Sequence, residues 1–387
     1  MKPHASDMAA CPGLYIHIPF CQRKCPYCAF TSYPVAGHDP AAYLVALHRQ
    51  AAEVAAHAWA REIRFGSLYL GGGTPTIYEG GELVALLDDC QQRFAFTPDA
   101  EITVEANPNT LSAAKLDGLR RAGVNRLSIG VQALSDRLLG QLGRTHSRAQ
   151  VGESVRLARQ AGFANLNLDL IYGLPGQSLD DWQRSLDQVV ELAPEHLALY
   201  ELMIEPGSRF AELAAAGQLV LPDEDEVAAM AELIPTLLDQ AGYQRYEISN
   251  YARPGYRSRH NLNYWLNGSY LGLGAGAVSC FAGLRLGSVD DPGLFNRLIA
   301  TGQPPYKDGE ALGREASFRE SVIMGLRMLD GVAVAPLRAR YGLDPLAYYG
   351  ATLTELVAQG LLEVDADRLR LTPKALPLAN QVLSRLV

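Results

Sequence analysis

The chain has 387 residues, a length that fits one large domain plus a smaller one better than a single core. It is 48% hydrophobic and 20% charged with a formal net charge of −8, which argues against a general nucleic-acid or anionic-membrane binder. No apolar run reaches the about 18 residues that a membrane helix needs, and MKPHASDMAACPG at the N-terminus lacks the apolar core of a secretory signal, so the expected compartment is the cytoplasm.

In chain order, strand patterns fall at GLYIHIPF (13–20), SLYLGG (67–72), EITVEAN (101–107), RLSIGVQ (126–132), NLNLDLIYG (165–173) and HLALYELMI (196–204). Helical patterns lie between them, among them DPAAYLVALHRQAAEVAAHAWA and SLDDWQRSLDQVVELA. The second opens on Ser178 as N-cap, with Asp180 and Asp181 suited to its first turn. Alternation of this kind indicates βαβ units around a parallel sheet, either doubly wound or closed toward a barrel. The strands help to choose. In NLNLDL, Asn165, Asn167 and Asp169 share one face while Leu166, Leu168 and Leu170 share the other; Thr103 and Glu105 oppose Ile102 and Val104, and Tyr15 and His17 oppose Leu14, Ile16 and Ile18. Strands of a doubly wound sheet, covered on both faces, read as nearly continuous apolar runs. One polar face on strand after strand fits a wide barrel with a polar ligand in its lumen. Leaving Glu105 or Asp169 inside without a partner would cost several kcal/mol, on the order of a lost buried hydrogen bond or more, so each needs a cation or ligand hydroxyls.

Residues 281–315, with DDPG, TGQPP and DGEALGRE, read as a linker. Residues 316–387 carry helical patterns FRESVIMGLRML and PLAYYGATLTELVAQG, then a hairpin over DAD and a last helix. That order suggests a small winged-helix-like α+β module. Its segments are not densely basic, so a protein-contact or lid role is expected in place of DNA binding.

Of six cysteines, three stand within eight residues, in CQRKCPYC, as Cys21, Cys25 and Cys28. Cys11, Cys90 and Cys280 are remote from them. This spacing is not a disulfide framework; it points to metal binding in a reducing compartment. Thiolates select zinc or iron–sulfur clusters. One alternative is a zinc knuckle completed by a distant His or Cys; the other is a four-iron cluster whose fourth iron stays free for an outside ligand.

CxxxCxxC with Tyr27 before the last cysteine, together with GGGTP (71–75) after the second strand, resembles the radical S-adenosylmethionine (SAM) superfamily. The wider set, YIHIPFCQRKCPYC, GGGTPT, VEANP, RLSIGVQ, LGRTH, NLDLIYGLPGQ and HNLNYW, resembles the family of oxygen-independent coproporphyrinogen III oxidase and its relatives, and within it the heme-chaperone branch. The resemblance runs from about residue 13 to the C-terminus. It implies an α/β fold: a partial (β/α)6 radical-SAM barrel over 1–280 that includes the HNxxYW extension, then the linker, then the winged-helix-like domain. It implies a [4Fe–4S] cluster on Cys21, Cys25 and Cys28, and S-adenosylmethionine held by Tyr15, Gly72, Gly73, Thr74, Glu105, Gln132, Arg144 and Asp169. The implied chemistry is reduction of the cluster by a donor such as flavodoxin or ferredoxin, then of the sulfonium, to methionine and a 5′-deoxyadenosyl radical. HNLNYW (260–265) implies heme as a further ligand, with His260 as its contact and an acceptor protein as partner. GGGTP has no phosphate-loop lysine, so a nucleoside triphosphate is not expected.

Two departures separate the branches. The oxidases carry a further cysteine two positions after the third, where this chain has Phe30. Heme-chaperone members commonly have Asp after the third cysteine, where this chain has Ala29, and some have a histidine at the position of Val278. The expected activity is therefore heme binding and delivery with no catalytic residue assigned; the alternatives are coproporphyrinogen III oxidation and radical methyl transfer.

Overall fold

The computed structural model describes residues 11–281, 283–365 and 367–387. The first ten residues of the N-terminal stretch and Ala366 of the DAD turn lie outside these. Six parallel strands, β1 (Gly13–Ile18), β2 (Arg64–Gly72), β3 (Ala95–Ala106), β4 (Arg126–Gln132), β5 (Leu166–Tyr172) and β6 (His196–Glu201), stand side by side in that order. A seventh parallel strand, β7 (Tyr270–Leu273), pairs with the outer edge of β1, and the antiparallel strand Asn250–Ala252 pairs with β6. The sheet therefore curls without closing, a partial barrel, as the polar alternation predicts.

The alternation does the positioning. Leu127, Ile129 and Val131 of β4 and Leu166, Leu168 and Leu170 of β5 are buried against the outer helices, and each such side chain contributes about 1.5–3 kcal/mol through burial. Their neighbours in sequence, Arg126, Ser128 and Gln132, and Asn167 and Asp169, then face the lumen by the period of two. The helices start as the sequence indicates. Ser178 accepts from the Asp181 N–H in a capping box over the helix Leu179–Glu191, and Asp39 caps Pro40–Ala56.

The expected linker is not one. Residues 281–315 carry the antiparallel strands β9 (Leu284–Ser288) and β10 (Tyr306–Ala311), which continue the main sheet beyond β8 (Val278–Phe281), and the helix Pro292–Ala300. The Gly, Pro and Asp residues that read as linker punctuation serve as turns between strands and as the N-cap Asp291. The sequence boundary at 280 thus falls inside the sheet.

The C-terminal residues run helix Arg314–Gly325, strand Val332–Ala333, helices Val334–Tyr341 and Pro345–Ala358, then strands Leu362–Val364 and Arg368–Leu371. The three strands form their own antiparallel sheet around a separate apolar core containing Phe318, Val322, Leu356 and Leu369. This is the winged-helix order. Gly350 (φ 41°, ψ −109°) kinks the last long helix.

Candidate functional site

A cavity of about 450 Å³ opens where the parallel strands end and runs down the lumen. Cys21, Cys25 and Cys28 form one wall of its mouth, on the loop after β1, and Gly72, Gly73 and Thr74 form the adjoining wall. All three thiols are free and partly accessible. Each has a polar neighbour: the Thr74 hydroxyl donates to Cys21 Sγ (3.5 Å), Arg144 Nη1 to Cys25 Sγ (3.7 Å), and Ser32 Oγ lies 3.9 Å from Cys28 Sγ. Burial pushes the Cys21 thiol up, with the Thr74 bond and the Arg144 charge acting against it. Among the described residues, no trio of His, Cys, Asp or Glu closes around a single metal ion. The sulfurs stand along one side of a cavity, each within reach of a donor that suits a thiolate, and this donor set fits a multi-iron group.

The glycine turn is shaped by the chain itself. Its N–H groups bind the lead-in to the cysteine loop, Gly73 to the Ile18 carbonyl and Thr74 to the Phe20 carbonyl, each at 2.8 Å. A Cβ on Gly73 would lie 2.5 Å from the Phe20 carbonyl oxygen, and one on Gly72, at φ +115°, 2.5 Å from the His17 ring. What approaches these glycines closely is strand β1 and its continuation.

Glu105, Gln132, Arg144 and Asp169 all line the same cavity. Glu105 accepts from the Tyr69 hydroxyl (2.7 Å) and the Gly72 N–H (3.0 Å). Burial pushes it up to about 7, the Tyr69 bond opposing and the Asp169 charge adding to the rise. Asp169 accepts from Asn167 Nδ2 (2.7 Å) and from Ser128 Oγ (3.5 Å), and burial again raises it. Gln132 sits at a bulge in β4 with a left-handed backbone, φ 67°, which re-aims the strand end. Arg144 donates to Asn107 Oδ1 (2.5 Å) and to the Gly130 carbonyl (2.7 Å), and Asn107 in turn donates to Thr74 Oγ1 (3.0 Å). One hydrogen-bonded chain thus joins two of the three cysteines.

Tyr15 and His260 fall elsewhere. Tyr15 lines a neighbouring cavity of about 390 Å³, separated from the first by Gly72 and Glu105, and its hydroxyl donates to His17 Nδ1 (2.8 Å). His260 is 1% exposed and lines no part of the lumen cavity. Its Nδ1 lies 2.8 Å from Ser67 Oγ, its Nε2 3.0 Å from the Tyr264 hydroxyl, and its ring stacks on Tyr69 at 4.9 Å. Burial, then the Arg126 charge, lowers it to about 3. With both nitrogens hydrogen-bonded, His260 packs as a neutral imidazole behind the lumen wall. The residue of HNLNYW that reaches the cavity is Asn261.

Sequence reading also missed Asn107, Arg126, Asn167 and His196. His196 donates from Nδ1 to Asn167 Oδ1 (2.5 Å) and accepts from the Tyr246 hydroxyl at Nε2 (2.7 Å), which carries the Asp169 network across the lumen. Arg126, Asn167 and His196 were legible in principle, because each lies on the polar face of its strand.

Comparison with known proteins agrees with this geometry. Residues 15–189 match the model of the radical SAM superfamily and residues 312–378 that of the HemN C-terminal domain. The fold matches the structure of coproporphyrinogen III oxidase (HemN) from Escherichia coli, described as a radical SAM enzyme, with a TM-score of 0.85 and 25% identity, over 99% of this chain and 91% of that one. A partial barrel with a three-cysteine loop and a glycine turn at the open strand ends defines a radical SAM protein, a class that pairs a [4Fe–4S] cluster with S-adenosylmethionine. Heme chaperone HemW of Bacillus subtilis (strain 168) is 37% identical over 95% of this chain and 97% of its own length. That of Escherichia coli (strain K12) is 38% identical over 96% and 97%. The chain belongs to the HemW family.

Proposed function

We propose that this protein is a heme chaperone of the radical SAM type, which binds heme and passes it to an acceptor protein. The observation that carries the reading is the near full-length likeness to proteins named heme chaperone HemW, combined with Phe30 in place of the oxidases' extra cysteine. In this reading Cys21, Cys25 and Cys28 hold the cluster. Thr74 and Arg144 donate to their sulfurs and stabilise the thiolate form. Gly72, Gly73, Thr74, Glu105, Gln132, Arg144 and Asp169 receive S-adenosylmethionine, with the two carboxyls turned to its hydroxyls, and Tyr15 supports them from the adjoining cavity. When bound, the cluster supplies an electron to the sulfonium; the residues orient the ligand and exclude water. A small reductant such as flavodoxin or ferredoxin supplies that electron, and the setting is the cytoplasm. No helix among the described residues is long and apolar enough to cross a membrane.

Apolar side chains rim the cavity. Phe30 is 71% and Met203 60% exposed, and Tyr200 stands beside them. Exposed apolar surface at a cavity mouth suits the face of a flat macrocycle.

A second reading, radical enzyme action on coproporphyrinogen III or radical methyl transfer, is favoured by the fold match to HemN over the whole chain. Anaerobic reconstitution separates them. Saturable hemin binding, read optically with and without S-adenosylmethionine, and no turnover support the chaperone; substrate decarboxylation or methylation overturns it.

A further inference from the structure

The deep end of the lumen holds a charge that the reading above does not use. Arg126 opens β4, at the opposite end of that strand from Gln132, and lines the cavity floor with Asn167, His196, Asn250 and Asn261. It is 1% exposed, and among the described residues its Nε has no hydrogen-bond partner; neither has Oδ1 of Asn250, which lines the same cavity. The two lumen carboxyls feel its charge, but their hydrogen bonds go elsewhere: Glu105 is held by Tyr69 and Gly72, Asp169 by Asn167 and Ser128. A guanidinium buried in this way carries a large desolvation cost unless an anion with planar, paired acceptors completes it.

We propose that Arg126 is a carboxylate-binding residue at the floor of the lumen, pairing with a carboxylate of the ligand that enters from the cysteine-lined mouth. Two sources share that chemistry: a propionate of the tetrapyrrole and the methionyl carboxylate of S-adenosylmethionine. The cysteines, the glycine turn and the apolar rim of Phe30, Tyr200 and Met203 all lie toward the mouth, so position alone does not choose between the two sources and the test separates them. The tetrapyrrole source rests on the heme-chaperone reading; the sulfonium source does not.

The test compares charged and uncharged ligands on the full-length, cluster-loaded protein and on its Arg126→Met and Arg126→Lys variants. The probes are hemin against its dimethyl ester, and S-adenosylmethionine against its decarboxylated analogue. Arg126→Met is expected to lose about tenfold or more of the preference for hemin while ester affinity holds, and Arg126→Lys, which keeps the charge on a shorter reach, to lose part of it. Loss of preference in the S-adenosylmethionine pair instead assigns the carboxylate to that ligand. Should Arg126→Met fail to fold, the lysine variant decides by the same ratios. Unchanged ratios in both pairs overturn the proposal. Wild-type protein that binds no hemin defeats the heme reading alone and leaves the S-adenosylmethionine pair to judge Arg126.

Discussion

Glu105 shows how the lumen sets a proton balance. Its folded pKa is raised from 4.5 to about 7, so between those values the folded chain holds a proton that the unfolded chain releases. Stability from this group is full below pH 4.5 and falls as pH rises toward 7. Thermal melts of the metal-free protein across that window are expected to show wild type losing ground to Glu105→Gln as pH increases; a difference that stays flat with pH removes the raised carboxyl. His260 makes the converse point about legibility. HNLNYW was readable as a motif, but which of its residues lines the cavity was not, because a short helix turns His260 toward Ser67 and Tyr69 and turns Asn261 to the cavity. His260→Ala is expected to cost about 2–4 kcal/mol in urea unfolding, from lost packing and two hydrogen bonds, with hemin affinity within about twofold. Lost hemin affinity at unchanged stability would contradict the packing role.

At the scale of elements, six strands were visible because alternation of polar and apolar residues is local, and the lumen face followed from it. The bulge that aims Gln132 and the contact of Gly72 and Gly73 with β1 were not, since both depend on strands distant in sequence. Residues 281–315 misled for a related reason: turn residues look alike whether they join domains or strands of one sheet. The glycine turn and the cysteine loop are a single unit, zipped through Ile18 and Phe20. Gly73→Ala therefore displaces the cysteine loop without touching a sulfur. Iron incorporated on anaerobic reconstitution is expected to fall several-fold while circular dichroism is retained, and full iron loading would show the two segments to be independent.

The whole molecule consists of a curled sheet with a small α+β module held against it in part by the HNLNYW helix. Trp265 stacks under Arg327 at 4.9 Å, and the backbones of Tyr246 and Leu329 are joined at 3.0 Å. The two parts have separate apolar cores, so cooperativity between them depends on this seam. Trp265→Ala is expected to lower stability by about 1–3 kcal/mol and to split urea unfolding into two transitions; one undisturbed transition would contradict the seam. All of this architecture serves one assembly, a trio of sulfurs beside a polar lumen that admits a sulfonium ligand. The most direct test is EPR of the anaerobically reconstituted, reduced protein with and without S-adenosylmethionine. A four-iron signal that shifts on addition, and disappears when Cys21, Cys25 and Cys28 are replaced by alanine, is the expected result. Zinc in place of iron, or a cluster signal indifferent to the added ligand, would contradict it.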